Sequence, residues 1–338
     1  MTLPTRPLGT SGLSITPVGF GAWAAGGGGW SFSWGPQDDN ASIAAMRHAI
    51  ERGVNWIDTA AVYGLGHSEE VVGRFLETLA TRDRPLVFTK CGLQWDDTDP
   101  MKVSKRNLHP DRIRTECEAS LRRLDVERID LYQFHWPDES GVAVEESWDA
   151  MARLVEQGKV RAVGVSNFDV PLLERCEARR HVDSLQPPFS MIKRAVAGGQ
   201  IPWCATHDTG VICYSPMQSG ILTDTFSKAR VDALAPDDWR RRGPEFQSPA
   251  LERNLALRDA LRPIARRHGT SISAVAVAWV LAWPGVTGAI VGARSPEQVD
   301  GWLPAATLRL SAEDLDEIAR AIEVSGAGMG VTTPVPNP

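Results

Sequence analysis

Four polar residues of complementary chemistry lie where short apolar segments end. Asp58 directly follows one such segment, Tyr63 lies five residues further on, and Lys90 and His135 each follow another. In a barrel of parallel strands the reactive groups come just after the strands, so all four are expected to face one mouth. Taken singly, each has an ordinary interpretation: a cap, a packed ring, half of an ion pair, or a satisfied core histidine. Together they are hard to attribute to packing, because charged residues are rarely buried without a partner.

These four side chains suit proton transfer coupled to the reduction of a carbonyl group. A phenol with a pKa of about 10 is a poor proton donor at neutral pH, and a neighbouring lysine cation lowers that pKa. The sequence therefore predicts that Lys90 lowers the pKa of Tyr63 and that Asp58 holds Lys90 in place and charged. His135 would hydrogen-bond the substrate carbonyl, while Tyr63 supplies the proton to the developing alkoxide.

Short β-branched apolar segments alternate with amphipathic helical patterns along most of the chain. No G-x-G-x-x-G fingerprint follows the first predicted strand, and the glycine run at 26–29 is expected to be a flexible loop. Ser68 is predicted to cap one of the helices. The pattern favours an α/β fold of the (β/α)8 TIM-barrel class, as a single domain over residues 1–338. Its predicted strands are 18–20, 54–57, 86–89, 129–134, 161–165, 182–185, 211–214 and 289–291.

Three segments fall outside this repeat. Residues 1–16 are predicted to form an N-terminal β-hairpin that closes the bottom of the barrel. Residues 224–250, after the seventh strand, are too long for an ordinary connection, so we expect a lid-like loop on the catalytic face. Residues 327–338 are expected to form a flexible tail.

Composition narrows the class of partner. The chain has 36 Lys and Arg against 42 Asp and Glu, a formal net charge of −6, and its longest basic block is the short run at 240–242. A small-molecule partner is therefore expected, and neither nucleic acid nor a membrane. The five cysteines include no C-x-x-C pair, and the N-terminus lacks an apolar signal region. We expect a cytoplasmic protein with buried thiols, without a metal or a membrane span, as a monomer or small homo-oligomer.

The aromatic residues are unevenly distributed. There are 12 Trp but only 3 Tyr, so any role that needs a phenol has few candidates. Several Trp residues fall in predicted loops at the barrel mouth, where they could line a substrate pocket for a bulky apolar group or a sugar, or merely pack the loops. This predicted pocket consists of Trp23, Trp30, Trp34, Trp95 and Trp136.

Several motifs together resemble the signature of the aldo-keto reductase superfamily, especially bacterial members related to the inositol-catabolism and general-stress reductases. The resemblance covers nearly the whole chain. It implies a barrel that binds an extended nicotinamide dinucleotide without a Rossmann domain, with Asp58, Tyr63, Lys90 and His135 as the catalytic tetrad. The motifs are Asp58-Thr59-Ala60-Ala61-Val62-Tyr63-Gly64, Gly66-His67-Ser68-Glu69, Val72-Gly73, Phe88-Thr89-Lys90-Cys91-Gly92, Asp130-Leu131-Tyr132-Gln133-Phe134-His135-Trp136-Pro137 and Gly164-Val165-Ser166-Asn167-Phe168.

The resemblance also implies which residues hold the cofactor. The nicotinamide carboxamide would meet Ser166, Asn167 and Gln186, with Tyr214 stacked on the ring. The pyrophosphate would lie in a loop formed by Ser215, Pro216, Met217, Ser219 and Gly220. The lid would contribute Arg230, Trp239 and Arg240, unless it is only an exposed basic loop. The adenosine end would meet Gly292, Ala293, Arg294 and Gln298. The set is completed by Gly21, Ala22, Trp23 and Asp58.

The resemblance also implies that Arg294 lies where a cation could meet a 2′-phosphate, which favours NADPH over NADH. The family's usual Glu-Asn pair near the adenine is replaced here by Gly301-Trp302. The predicted function is NADPH-dependent reduction of an aldehyde, ketone or sugar carbonyl, or the reverse reaction. Two alternatives remain open. One is a nicotinamide-binding regulatory protein resembling potassium-channel β-subunits, and the other is a Schiff-base aldolase that uses Lys90.

Overall fold

Eight parallel strands form a closed barrel in the computed structural model, which describes residues 3–334. Each strand pairs with the next along the chain, and the eighth closes the ring by pairing with the first, Ala289 with Val18 and Gly292 with Gly21. The predicted (β/α)8 barrel is confirmed. From first to eighth, the barrel strands are Val18–Gly21, Trp56–Asp58, Leu86–Cys91, Ile129–Phe134, Val160–Ser166, Ser184–Gln186, Gly210–Tyr214 and Gly288–Gly292.

Most strands end one or two residues beyond the apolar segments that predict them. Asp58, Gln186 and Tyr214 are the last residues of the second, sixth and seventh strands. Lys90 is the penultimate residue of the third strand, and Ser166 ends the fifth. Because the strands are parallel, these polar ends meet at one face of the barrel.

Helices surround the barrel, and local capping explains where several begin. Asp38 accepts a hydrogen bond from the backbone of Ala41, and Asp169 caps the helix after the fifth strand in the same way. Ser68 is not a cap: its helix begins at His67, and the Ser68 hydroxyl donates to the Ala22 carbonyl instead. The α-helices within residues 3–334 are Asp39–Glu51, His67–Glu77, Pro110–Leu124, Val144–Glu156, Val170–Glu177, Gln200–Thr206, Lys228–Asp232, Ala250–Ala260, Arg262–Arg267, Ile272–Leu281, Pro296–Trp302 and Ala312–Ser325.

The N-terminal segment closes the bottom of the barrel. Arg6–Pro7 pairs with Ser14–Ile15 in an antiparallel hairpin. Three apolar side chains of this segment, those of Leu8, Leu13 and Ile15, are buried against the lower interior of the barrel. Burying each side chain contributes about 1.5–3 kcal/mol, so the hairpin is an integral part of the core.

The beginning of the expected C-terminal tail is packed against the barrel. Ala327 is buried, and the Arg194 guanidinium donates to the carbonyls of Ala327 at 3.0 Å and Gly330 at 3.3 Å. Arg194 is itself buried, and its bonds hold residues 327–330 in place, in contrast to the flexible segment expected there. The end of the expected tail, residues 335–338, lies outside the described residues.

All five cysteines, which lie within the described part of the chain, are buried and form no disulfide. Between residues 3 and 334, no helix combines the length and apolar character needed to cross a bilayer. The same residues contain no group of three or more His, Cys, Asp or Glu side chains placed to hold a metal ion.

Candidate active site

The second and third barrel strands bring Asp58 and Lys90 together inside the barrel. The Lys90 ammonium donates to Asp58 Oδ1 at 2.6 Å and to the Thr59 carbonyl at 2.8 Å. Gln186, from the sixth strand, donates to the other Asp58 oxygen at 2.9 Å. Both charged groups are buried, so hydrogen bonds to charged partners replace the water they have lost. The ion pair expected from the sequence is therefore present.

Tyr63 and His135 face each other beside this ion pair. Their rings meet edge to face, with centroids 5.6 Å apart and an interplanar angle of 80°. The Lys90 ammonium lies 5.2 Å from the centroid of the Tyr63 ring. The structure thus brings together all four residues predicted to be catalytic.

Burial controls the charge state of these groups. It lowers the pKa of His135 well below its usual value, and the Lys90 charge adds to this effect, so the imidazole is neutral at neutral pH. Burial also raises the pKa of Asp58 and lowers that of Lys90, while the attraction between the two opposes both shifts.

The expectation of a lowered pKa for Tyr63 is wrong, because the net shift is upward. Burial raises the pKa of Tyr63 well above its ordinary value, and the Asp58 carboxylate raises it further. Lys90 is paired with Asp58, so its charge is offset by a carboxylate that also faces the phenol. The consequence is that Tyr63 keeps its proton at neutral pH and is available as a donor.

A cavity of about 760 Å³ opens at this face of the barrel. Asp58, Tyr63 and His135 line it, together with every predicted cofactor-binding residue except Ala22. Ala22 is buried, and its N–H donates to the Asp58 carbonyl at 2.8 Å. Lys90 lies behind Asp58 and does not line the cavity. Because the Lys90 amine donates to Asp58 and Thr59 and does not line the cavity, a carbonyl compound bound there would not reach it, which disfavours the Schiff-base aldolase.

Polar side chains at the ends of the fifth to seventh strands form one connected wall of the cavity. The Tyr214 hydroxyl donates to Asn167 Oδ1 at 2.8 Å, and Asn167 Nδ2 donates to the His135 carbonyl at 2.9 Å. Ser166 Oγ donates to the Gln186 carbonyl at 2.8 Å. Asn167 has a φ of 63°, a left-handed conformation that asparagine tolerates. This wall fits a planar amide beside an aromatic ring.

The loop that follows the seventh strand has a backbone conformation that can bind an anion. Ser215, Gln218 and Ser219 have φ values of 55°, 46° and 52°, and Gly220 has a φ of 98°. Left-handed residues within a turn direct successive backbone N–H groups toward one concave surface, which binds anions such as phosphates. Residues 215–220 all line the cavity, so the backbone here fits a pyrophosphate.

Four arginines line the same cavity. Arg106 lies after the third strand, and the other three, Arg230, Arg240 and Arg294, lie in the lid and after the eighth strand. Arg240 donates through Nε and Nη2 to both oxygens of Asp238, at 3.0 Å and 2.6 Å, and stacks over Trp34. Arg230 is exposed, and its side chain makes no hydrogen bond within residues 3–334.

Arg294 ties the end of the eighth strand to the first loop. Its guanidinium donates to the carbonyls of Trp34 and Pro36 and to the side chain of Gln37. Burial lowers the pKa of Arg294, and the charge of Arg240 lowers it further; Asp238 raises it, and Arg230 lowers it again. The three arginines outnumber the one carboxylate among these groups, which leaves an excess of positive charge. An anionic ligand would relieve that excess.

The lid segment, residues 224–250, is fastened to the loop after the first strand. Asp237 Oδ2 accepts hydrogen bonds from the backbone N–H of Gly29 and the hydroxyl of Ser33, both at 2.9 Å. The backbone N–H of Trp239 donates to the Ser33 carbonyl at 3.1 Å. Trp239 also stacks on Trp23, with ring centroids 5.6 Å apart. The lid therefore covers part of the cavity.

Within the glycine run at 26–29, where a flexible loop is expected, Gly26 is buried and packed, whereas Gly28 and Gly29 are exposed. A Cβ added to Gly26 would lie 2.6 Å from the backbone nitrogen of Gly64, the residue after Tyr63. Trp23 stacks on Tyr63 with centroids 5.7 Å apart. This loop consequently supports the position of Tyr63.

Four of the five tryptophans predicted for the substrate pocket line the cavity. Trp95 does not: its indole N–H donates to Asp97 at 2.9 Å instead. Other residues that line the cavity are not predicted from the sequence, because a hairpin whose strands are two residues long has no detectable periodicity. Those from the connection after the third strand are Leu93, Val103, Ser104 and Arg106.

The chain is similar to known proteins along most of its length. The model of the aldo/keto reductase family matches residues 17–323. The chain is 33% identical to the aldo-keto reductase YhdN of Bacillus subtilis, over 93% of this chain and 92% of that protein. It is 32% identical to an NADH-specific methylglyoxal reductase of Escherichia coli, over 94% and 98%. Among solved structures, a glycerol dehydrogenase from Gluconobacter oxydans is similar with a TM-score of 0.85 and 35% identity, over 97% and 98%.

The family match and these relatives decide among the alternatives left open by the sequence. The relatives are reductases and a dehydrogenase, and the chain covers more than 90% of each. The chain is therefore an oxidoreductase that uses a nicotinamide cofactor and acts on a small-molecule carbonyl compound. It belongs to the aldo/keto reductase family.

Proposed function

We propose that the protein reduces aldehydes and ketones with NADPH in preference to NADH, and that Tyr63 is the proton donor. The observation that carries the proposal is the position of Tyr63 and His135, which face one cavity directly beside the buried Asp58–Lys90 pair. A substrate carbonyl oxygen placed in the cavity against both rings would meet both side chains at once.

The electrostatics support a division of roles between these residues. A Tyr63 phenol with a raised pKa holds its proton until the carbonyl oxygen becomes basic, and then donates it. Neutral His135 would donate a second hydrogen bond to the same oxygen and orient it. Lys90, 5.2 Å from the Tyr63 ring centroid, would stabilise the phenolate that remains after proton transfer. The nicotinamide cofactor, when bound, supplies the hydride.

The polar wall, the turn at 215–220 and the three arginines would hold the cofactor along the cavity. Asn167, Gln186 and Tyr214 would hold the nicotinamide, and the backbone of the turn would hold the pyrophosphate. The arginines favour NADPH because a 2′-phosphate brings extra negative charge to a place crowded with guanidinium groups.

The test is to titrate NADPH and NADH separately and then to assay carbonyl compounds with each cofactor. Because one relative is a methylglyoxal reductase and another a glycerol dehydrogenase, the panel includes methylglyoxal, glyceraldehyde and 4-nitrobenzaldehyde, with glycerol for the reverse direction. We expect tighter binding of NADPH and turnover of at least the reactive aldehydes. Cofactor binding without turnover of any compound would contradict the proposed reductase, and equal binding of both cofactors would contradict the NADPH preference.

A further inference from the structure

A short hairpin after the third barrel strand extends to the cavity mouth. Leu93–Gln94 pairs antiparallel with Lys105–Arg106, which places Leu93 opposite Arg106. Leu93 and Arg106 line the cavity, whereas Gln94 and Lys105 do not. The hairpin therefore presents one apolar and one cationic side chain to the cavity.

Arg106 stacks on Trp136, the residue that follows His135 in the sequence. Its guanidinium carbon is 4.3 Å from the centroid of the Trp136 ring. Leu93, its partner in the hairpin, packs in an apolar cluster that includes Trp30 and Tyr63. A substrate bound between Tyr63 and His135 would thus have Arg106 close to its far side.

The charge of Arg106 is available to a ligand. Its ion pair with Glu139 is exposed, with 34% and 61% of the two side chains accessible, and Glu139 does not line the cavity. Exposed pairs of this kind are weak and exchange readily with another anion. Nearer the reacting carbonyl, Asp58 is neutralised by Lys90, and His135 carries no charge at neutral pH.

The other cations that line the cavity, within residues 3–334, have different partners or positions. Lys193 pairs with Glu245 at 2.9 Å. Arg230 and Arg240 belong to the lid, and Arg294 lies just after the eighth strand, on the far side of the barrel from the third strand. Arg106 is accordingly the cation that lines the cavity beside Trp136 and Leu93.

We propose that Arg106 makes the enzyme selective for carbonyl substrates with a flat apolar body and a carboxylate or similar anion at the end away from the carbonyl. The body would pack among Trp23, Trp30 and Trp136, and the anion would replace Glu139 as the partner of Arg106. This inference rests on the proposed function, since it assigns a substrate class to the same cavity.

The experiment compares acids with their neutral esters. The substrates are 4-formylbenzoate and the longer 4-formylphenoxyacetate, each paired with its methyl ester and assayed with NADPH. Within each pair, the acid-to-ester ratio of kcat/KM is compared between the native enzyme and Arg106→Met, which cancels the intrinsic reactivity of the aldehydes. We expect the ratio to fall roughly tenfold in the variant for at least one pair, as for a lost hydrogen bond to a charged group. The change should appear in KM, because the anion binds away from the reacting atoms, and Arg106→Lys should restore part of it.

Two further variants separate a local contact from a general change of charge. Lys105→Met removes the same charge from the neighbouring residue, which does not line the cavity, and should leave the ratio unchanged. Glu139→Gln frees Arg106 and should raise the ratio. An equal effect of Arg106→Met on acids and esters, or an equal effect of Lys105→Met and Arg106→Met on the ratio, would overturn the proposal.

A binding measurement keeps this proposal distinct from the proposed function. The alcohol 4-(hydroxymethyl)benzoate and its methyl ester are titrated against the NADPH-bound protein by quenching of tryptophan fluorescence. Tighter binding of the acid that is lost in Arg106→Met would support the role of Arg106 even if no aldehyde were reduced. Turnover of the esters without any preference for acids would overturn the role of Arg106 and leave the reductase standing.

Discussion

Burial moves the pKa values of Tyr63 and His135 in opposite directions, and both shifts favour the same step. The phenol becomes harder to deprotonate and the imidazole harder to protonate. Both groups are therefore neutral before the reaction. Tyr63 would transfer its proton to the carbonyl oxygen, and His135 would donate a hydrogen bond to the same oxygen. The Lys90 ammonium, 5.2 Å from the centroid of the Tyr63 ring, would partly offset the negative charge of the product phenolate.

Removing the Tyr63 hydroxyl tests its role directly. Tyr63→Phe should lower the rate of carbonyl reduction by roughly 10²–10⁴-fold, the usual contribution of a general acid. Cofactor affinity should change little, because the phenol is expected to contact the substrate rather than the cofactor. Steady-state assays measure the first effect, and tryptophan quenching by NADPH measures the second. Activity close to that of the native enzyme would show that another group donates the proton.

The pH profile of reduction follows from the same two shifts. Tyr63 loses its proton only well above pH 10.0, and His135 gains one only well below pH 6.5. We therefore expect kcat/KM for 4-nitrobenzaldehyde to be flat from about pH 6.5 to about pH 10, to fall above this range as Tyr63 loses its proton, and to fall below it as His135 becomes cationic beside Lys90. A limb with an apparent pKa near 8 would contradict these assignments.

The pKa of Tyr63 shows why part of the site is beyond sequence reasoning. The residue types and their positions after apolar segments were enough to predict that Asp58, Tyr63, Lys90 and His135 meet. The direction of the Tyr63 shift depends on the depth of burial and on Asp58 facing the phenol together with Lys90. A sequence pattern shows neither the depth at which Tyr63 is buried nor which charged groups face its phenol.

At the scale of elements, the barrel strands were predictable because each is a β-branched apolar segment between amphipathic helices. The hairpin Leu93–Gln94 and Lys105–Arg106 was not, because strands of two residues leave no periodic signal. The packing of Gly26 was not predicted for another reason. The backbone of Gly64, distant in the sequence, comes so close to Gly26 that a side chain would not fit there. Features fixed by local periodicity were predicted, and features fixed by contacts between loops were missed.

The hydrogen bonds that Asp237 accepts from Gly29 and Ser33 join the lid to the loop after the first strand, and we call them the clamp. They give a prediction about cofactor binding. Asp237→Ala removes the acceptor for Gly29 and Ser33, so the lid should close less firmly. We expect NADPH to bind roughly tenfold more weakly and to dissociate faster, since two hydrogen bonds to a carboxylate are lost. Fluorescence titration and stopped-flow displacement measure both quantities.

Two variants serve as references for this clamp. Asp237→Asn keeps an acceptor oxygen and should have a smaller effect than Asp237→Ala. Asp232→Ala removes an exposed carboxylate from the same lid and should have none. An equal weakening by Asp232→Ala would mean that the lid responds to charge alone and that the clamp is not involved.

At the scale of the whole molecule, the charge distribution matters more than its total. The chain has a formal net charge of −6, yet four arginines line one cavity, and three of them, Arg230, Arg240 and Arg294, lie in the lid and after the eighth strand. Two of them make hydrogen bonds within the protein, whereas Arg230 on the lid has free donors. A positive cavity on an acidic protein attracts an anionic cofactor while the rest of the surface repels it.

This distribution predicts how each cofactor stabilises the fold. A ligand at one hundred times its Kd stabilises the folded state by about 2.7 kcal/mol. At equal concentration NADPH should therefore raise Tm more than NADH, and the difference should shrink as salt screens the arginines. Arg230→Gln should reduce the shift with NADPH more than the shift with NADH, whereas Lys228→Gln, an exposed change outside the cavity, should reduce neither. Thermal unfolding with each cofactor at low and high salt measures these shifts, and equal shifts for NADPH and NADH at low salt would argue against recognition of the 2′-phosphate by the arginines.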